Sequence, residues 1–275
     1  MRIREITLDD LPTIASLLTE GFPSKSILYW QNALAILAER PSVGELPQFG
    51  LAIEVDGALQ GVMLMIAQST KENPLCNLSS WYIRPDFRKY AVLLFQRSLR
   101  FKNVTYTDCS PASHVLPVIQ KFGFVPYTGG TLLLDARIIF KPSQKITILD
   151  KAVASQSSFK HVDISKHIDC GCRGFLLSDA NGRPTPVLYR VTRLKRLVPA
   201  AQFVFGSPKV LLEHAPGLLR ALLRDGVPIM LIDWPQGETP TVGKMMPRHN
   251  LRYYRGGTKP DAGDLANTEI GLFGL

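Results

Sequence analysis

Apolar residues at Leu11, Ile14, Leu17 and Leu18 recur at helical spacing behind Asp9 and Asp10. That pattern predicts an amphipathic helix over residues 9–20 with an acidic first turn, following a short strand at 2–7. A second helical stretch covers 27–37, and two β-rich runs then meet at Asp56-Gly57, a dipeptide that signals a hairpin turn. Residues 78–84 are aromatic and β-branched and read as a strand, followed by Pro85, a short basic loop and an apolar helix over 91–99. A strand at 104–107 leads to Asp108, a Ser/Pro-rich turn, a short helix ending at Phe122-Gly123-Phe124, and Tyr127-Thr128-Gly129-Gly130. Ser113 is the expected N-cap of that short helix, which puts Pro117 in its first turn, where a proline costs less than the ~3 kcal/mol of a helix interior.

The second half repeats this order. A strand at 201–205, a turn at Ser207-Pro208, a leucine-rich helix over 210–223 and a strand at 228–232 ending at Asp233 are followed by Tyr254-Arg255-Gly256-Gly257. Asp108 and Asp233 stand 125 apart, Tyr127 and Tyr254 stand 127 apart, and Tyr82 and Phe205 stand 123 apart. Three landmarks holding nearly one offset indicate an internal repeat of about half the chain. The expected boundary falls within 135–151, giving domains 1–140 and 141–275. The run at 262–275 ends in alternating β-type residues and is expected to close a sheet, so that its removal harms folding.

Two motifs carry a family resemblance. Trp81-Tyr82-Ile83-Arg84-Pro85-Asp86-Phe87-Arg88 resembles the fourth strand and pyrophosphate-loop entry of the GNAT (acyl-CoA N-acyltransferase) superfamily, and Lys121-Phe122-Gly123-Phe124 resembles that family's Gly-Phe before its sixth strand. The resemblance implies an α/β fold with a mixed sheet, present as two tandem GNAT-like domains. The first would bind acyl-CoA; the second is degenerate, with a structural or substrate-shaping role. It also implies a cofactor-binding set of Trp81, Tyr82, Ile83, Arg88, Lys89, Tyr90, Ala91, Val92, Leu93, Ser110 and Ser113. Backbone N–H groups of residues 89–93 at a helix N-terminus, with Arg88 beside them, form the expected pyrophosphate site. The chain departs from the family at Ala91 and Leu93, where loop glycines are usual, and at Ile119, where the family often has a tyrosine as proton donor.

Composition narrows the setting. With 45% hydrophobic and 20% charged residues the chain is that of a globular protein long enough to bury its own core. A formal charge of +9 suits a phosphorylated cofactor, an acidic carrier or nucleic acid, but the basic residues, such as Arg190, Arg193, Lys195 and Arg196, are scattered and form no nucleic-acid arm. Cys76 and Cys109 are isolated and Cys170 and Cys172 form a lone C-x-C, so reduced thiols are expected. His114, His161, His167, His214 and His249 show no metal-ligand spacing, and no metal is expected. A charged N-terminus and short apolar runs lead to the expectation of a cytoplasmic protein without a membrane span.

Acyl transfer to an amine needs a group that deprotonates or positions the amine, a donor that polarises the carbonyl and a proton for the departing thiolate. The catalytic candidates are Glu20, Ser80 and Tyr127. Glu20 qualifies as a base if burial raises its pKa, and otherwise is a solvated helix-end carboxylate. Ser79 and Ser80 alternate in direction along their strand, so one faces the acceptor side; both also read as ordinary strand serines. Tyr127 and Tyr254 precede matching Gly-Gly pairs and read equally as structural aromatics. Asp233-Trp234-Pro235 and residues 244–249 lie where an acceptor loop of the second copy would fall. The function expected is transfer of an acyl group from acetyl-CoA or another acyl-CoA to a small-molecule or carrier-bound amine by direct attack. The alternative is a catalytically degenerate binding or assembly module.

Overall fold

The computed structural model describes residues 1–70, 72–142, 146–149, 162–178, 182–194, 196–247 and 250–274; His161, Lys195 and His249 lie outside them. In chain order the elements are β1 (Arg2–Glu5), α1 (Leu11–Gly21), α2 (Ile27–Ala38), β2 (Gly50–Val55), β3 (Ala58–Gln68), β4 (Leu75–Ile83), α3 (Ala91–Ser98), β5 (Thr105–Asp108), α4 (Leu116–Lys121), β6 (Val125–Pro126) and β7 (Thr128–Asp135). There follow β8 (Thr147–Leu149), α5 (Ile164–Asp169), β9 (Arg173–Ser178), β10 (Pro184–Leu194), β11 (Val198–Phe205), α6 (Pro208–Glu213), α7 (Ala215–Arg224), β12 (Ile229–Pro235), β13 (Lys244–Pro247), β14 (Tyr253–Arg255) and α8 (Glu269–Leu272). Short 3-10 turns at Leu8–Asp10, Pro85–Tyr90 and Ala136–Ile138 complete them.

Two compact units result, one made of Met1–Val125 with Tyr254–Lys259, the other of Pro126–Tyr253 with Pro260–Leu275. Each holds a seven-stranded sheet, and the two sheets have the same order: β1-β2-β3-β4-β5-β14-β6 in the first and β8-β9-β10-β11-β12-β7-β13 in the second. The pairing senses agree along the first four ladders of each sheet. β4 runs parallel to β5 and β11 parallel to β12, while the three ladders before each are antiparallel; β12 with β7 and β7 with β13 are antiparallel as well. The matching Tyr-x-Gly-Gly segments account for the sixth position. Tyr127 leads into β7, which lies between β12 and β13, and Tyr254 lies in β14, which lies between β5 and β6. Each half of the sequence thus supplies a strand to the sheet of the other.

In the first unit, Asp56 and Gly57 both take positive φ (51° and 79°), the two-residue turn that the hairpin of β2 and β3 requires. Val62, Met63, Leu64, Met65 and Ile66 on β3 are all buried; since successive strand residues face opposite ways, both faces of this sheet are covered. Ile14, Leu17 and Leu18 of α1 and Leu94 and Phe95 of α3 supply the covers. Arg4 ties the sheet edge to the start of α1: its guanidinium reaches Asp10 at 2.6 Å and Glu54 at 2.5 Å. Asp10 also accepts the Thr7 N–H at 2.8 Å, and Arg4, more than the Thr7 donors, holds the Asp10 carboxyl well below the usual carboxylate range.

The second unit buries Leu218, Leu219 and Leu222 of α7 against Phe203, Ile232 and Trp234. Burying each of those leucines contributes roughly 1.5–3 kcal/mol. Two expectations fail here. The single helix expected over 210–223 is broken at His214, because Pro216 has no N–H to donate and its ring crowds the carbonyl four residues back. The run at 262–275 does not close a sheet as a strand: it makes one bridge, Phe205 with Asp264, and then turns into α8, with Leu265, Ile270, Leu272 and Phe273 buried. Ser113 likewise caps nothing. α4 starts at Leu116, and Pro117 sits at its second position, where a missing N–H costs no helical bond.

Asp10→Asn is expected to destabilise the protein by about 1–3 kcal/mol at pH 7, because Arg4 loses one of its two charged partners. The deficit should shrink as pH falls below about 4, where the native Asp10 carboxylate alone still resists protonation; thermal melts of both proteins across pH 3–7 measure this. A chain ending at Asp264 loses five buried apolar side chains, Leu265, Ala266, Ile270, Leu272 and Phe273, a loss comparable to the whole ~5–15 kcal/mol stability of a typical domain. It should be insoluble or melt far lower than the full chain in differential scanning fluorimetry.

Candidate active site

The site of the first unit starts from a short parallel ladder. β5 pairs with β4 only through Leu75–Thr105, Cys76–Tyr106 and Asn77–Thr107, although β4 runs on to Ile83. Thr107 donates to the Asn77 side-chain oxygen at 3.1 Å at the last paired position, both residues being buried. Beyond it β4 and β5 part. The backbone edge of β4 from Leu78 onward therefore has no strand beside it among the described residues, and its N–H and C=O groups are the natural place for an extended ligand to bind.

A bulge lies on that edge. Val62 pairs with Tyr82 but Leu64 with Ser79, so three steps on β4 face two on β3, and Ser80 takes φ 51°, a region that non-glycine residues seldom occupy. The extra residue sends neighbouring side chains to opposite faces. Trp81 stacks on Phe95 of α3 with ring centroids 5.3 Å apart, and Tyr82 lies against Gly21 at the end of α1, where a Cβ would stand 2.3 Å from the ring. α1 and α3 thus flank the bulge from opposite faces. Ser79 is buried, Ser80 is half-buried, and their hydroxyls are 3.1 Å apart.

Glu20 does not meet the condition set for a base. It is exposed, with 44% of its side chain accessible, and is bound by Arg84 at 3.0 Å and by the Tyr82 hydroxyl at 3.0 Å. The Arg84 guanidinium first, and the Tyr82 donor after it, hold its carboxyl below the ordinary range rather than above it. Burial first, and then the Glu20 carboxylate, push the Tyr82 phenol up, so it stays protonated. Arg84 is fixed further by Gln60, whose side-chain oxygen accepts at 3.1 Å and whose carbonyl takes the Arg84 N–H at 3.0 Å. Glu20, Tyr82 and Arg84 together form a brace between α1 and β4.

The loop after β4 also differs from expectation. Pro85–Tyr90 is a 3-10 helix that runs straight into α3, and the Ala91 N–H donates to the Arg88 carbonyl. That donor is already used, so Arg88 and Lys89, both exposed, and Tyr90 are the groups the loop offers an anion through side chains. Val92 and Leu93 are 53% and 47% exposed, where the family's loop favours glycine at the second. Ser110 and Ser113 are exposed in the turn after β5, and Ile119 is wholly buried and has no proton to give. Tyr127 is 1% exposed and belongs to the second unit, its N–H donating to the Arg252 carbonyl at 2.9 Å. A groove of about 730 Å³ lined by Leu93, Arg97, Arg100, Phe122 and Arg255 runs beside α3, but no residue of β4 lines it. No group of three or more His, Cys, Asp or Glu suited to a metal occurs among the described residues, and no described helix is long and apolar enough to cross a membrane.

The sequence missed the bulge and the brace. Ser80 carries no periodicity signal for a positive φ, and Glu20 and Arg84 are 64 residues apart.

No protein-family model matches the chain, and no curated protein matches it. Solved structures do. A putative acetyltransferase from Pyrococcus horikoshii aligns over 96% of this chain and 92% of its own, with a TM-score of 0.56 and 14% identity. A tandem GNAT protein from the clavulanic acid biosynthesis pathway aligns over 94% of this chain and 100% of its own, with a TM-score of 0.54 and 12% identity. A probable N-acyltransferase from Enterococcus faecalis V583 aligns over 97% of this chain and 73% of its own, with a TM-score of 0.59 and 10% identity. At such identities the likeness is one of fold. Taken with two sheets of one strand order, each parting after a short parallel ladder, it shows that the chain folds as two tandem GNAT-like domains.

Proposed function

We propose that the chain is an acyltransferase that moves an acyl group from an acyl-CoA to an amine, and that the first unit carries the reaction. The observation behind this reading is the unpartnered edge of β4 beyond Asn77, with a bulge at Ser80 between α1 and α3. An extended pantetheine arm would hydrogen-bond to that edge, which places its thioester near the bulge. The pyrophosphate would meet Arg88 and Lys89, and the backbone of Tyr90 to Leu93 would border it. Trp81 and Ile83 would act through their backbone, since their side chains serve the core.

The bulge turns backbone donors out of the β3 ladder, and such a donor polarises a thioester carbonyl without reorganising. The Ser80 hydroxyl, half-buried on the same segment, would position the incoming amine or a water that accepts its proton. Nitrogen attacks the carbonyl carbon, the carbon–sulfur bond breaks, and the amine's proton ends on the sulfur. Burial pushes the Cys76 thiol up, away from nucleophilic character, so direct attack fits better than an acyl-enzyme. The exposed Leu93 and the occupied Ala91 N–H are what favour a second reading, a binding module without turnover.

Titration calorimetry with acetyl-CoA and longer acyl-CoAs tests the cofactor. Arg88→Ala should weaken binding about tenfold or more, the loss of a charge-assisted contact; no binding by the native protein would sink the proposal. With an accepting amine in hand, Ser80→Ala should lower kcat by about tenfold or more. Glu20→Gln should cost under about 1 kcal/mol of stability, as an exposed pair does. It should leave the acid limb of the pH–rate profile in place, because Glu20 titrates below the ordinary carboxylate range.

A further inference from the structure

The second unit repeats the cleft but fills it. β11 pairs with β12 only through Ala200–Ile229, Ala201–Met230 and Gln202–Leu231, then runs on to Phe205. Its bulge falls at the matching place: Leu188 pairs with Phe205 but Tyr189 with Phe203, leaving Val204 as the extra residue. Here the free edge has a partner. The Leu265 N–H donates to the Val204 carbonyl at 2.8 Å and the Gly206 N–H donates to the Gly263 carbonyl at 3.0 Å, around the bridge of Phe205 with Asp264. β10 occupies one edge of β11, so this segment lies on the other, the edge that β12 has left.

The segment is built in. Leu265 and Ala266 have no exposed surface, and the Ala266 carbonyl lies 3.0 Å from His167 Nε2. The Arg190 guanidinium donates to the Gly271 carbonyl at 2.9 and 3.0 Å and to that of Leu272 at 3.1 Å, closing the C-terminal end of α8. Gly263 fits only because it lacks a side chain: a Cβ there would stand 2.0 Å from the Gly206 carbonyl oxygen and 2.9 Å from its carbon.

We infer that residues 263–265 are a resident intramolecular ligand of the second cleft, taking the backbone partners that a pantetheine arm would need, and that the chain therefore carries one acyl-CoA site. The plug stands on geometry alone, whereas the single site rests on the acyl-CoA reading of the first unit. Two measurements separate them. Native hydrogen exchange should find the Gly206 and Leu265 amides protected at least tenfold over exposed loop amides, and Gly263→Ala should remove that protection while the amides of β2 and β3 keep theirs. Calorimetry with acetyl-CoA should give one equivalent per native chain, bound about tenfold or more weakly in Arg88→Ala. Unprotected Gly206 and Leu265 amides in the native protein overturn the plug, whether or not the variant folds. A second equivalent, or one whose affinity Arg88→Ala leaves unchanged, overturns the single site in the first unit. Protected amides with no acyl-CoA bound leave the plug standing and remove the acyl-CoA reading.

Discussion

A parallel ladder that stops after three residue pairs is the constraint from which the functional geometry follows. In a continuous sheet every backbone donor and acceptor is satisfied by its neighbour, and nothing else can bind there. When β5 leaves β4 at Asn77 and β12 leaves β11 at Gln202, each longer strand is left with an edge that must find partners elsewhere. The bulges at Ser80 and Val204 fall on those same stretches, so the groups turned out of the antiparallel ladder lie beside the ones left by the parallel one. One architecture thus makes the same demand twice, and the chain answers it differently each time.

In the second unit the answer is internal. Residues 263–265 satisfy the edge, and His167 and Arg190 hold the segment's continuation through its carbonyls, so the cleft becomes part of the core. A buried ion pair adds to this closure: Asp233 and Arg252 meet at 2.7 Å with side chains 1% and 5% exposed. Breaking such a pair leaves an uncompensated buried charge, at a cost of several kcal/mol. In the first unit the corresponding stretch keeps its edge, and the charged residues nearby are exposed and braced to one another, as Glu20 and Arg84 are. The first unit thus has an open edge with the exposed basic side chains Arg88 and Lys89 after β4, whereas the edge in the second unit is filled by residues 263–265.

The exchange of β7 and β14 has a further physical meaning. Each of these strands lies inside a sheet, with a strand on either side, so neither half of the sequence satisfies its own sixth position. Gly130 and Gly256 take φ 128° and 140°, and a Cβ on Gly256 would come within 2.8 Å of the Thr105 backbone. At Gly256 the chain therefore approaches the neighbouring strand too closely for a side chain, and both Gly130 and Gly256 hold a backbone conformation that favours glycine.

Local periodicity and turn chemistry were enough to find α1, α2, the hairpin at Asp56-Gly57, β4, α3, β5 and, in the second half, the strands β11 and β12, because those signals depend on residues close in sequence. The repeat and the fold class were legible for the same reason, as the spacing of landmarks survives even where residues differ. What the sequence could not reveal are contacts between distant residues. The direction in which Glu20 titrates depends on Arg84, and the fate of residues 262–275 on an edge of β11. Alternating β-type residues at the end of the chain look like a strand whatever lies beside them. Only the tertiary structure decided that they enter a cleft, because the partner that determines their conformation is the unpaired backbone of a strand some sixty residues away.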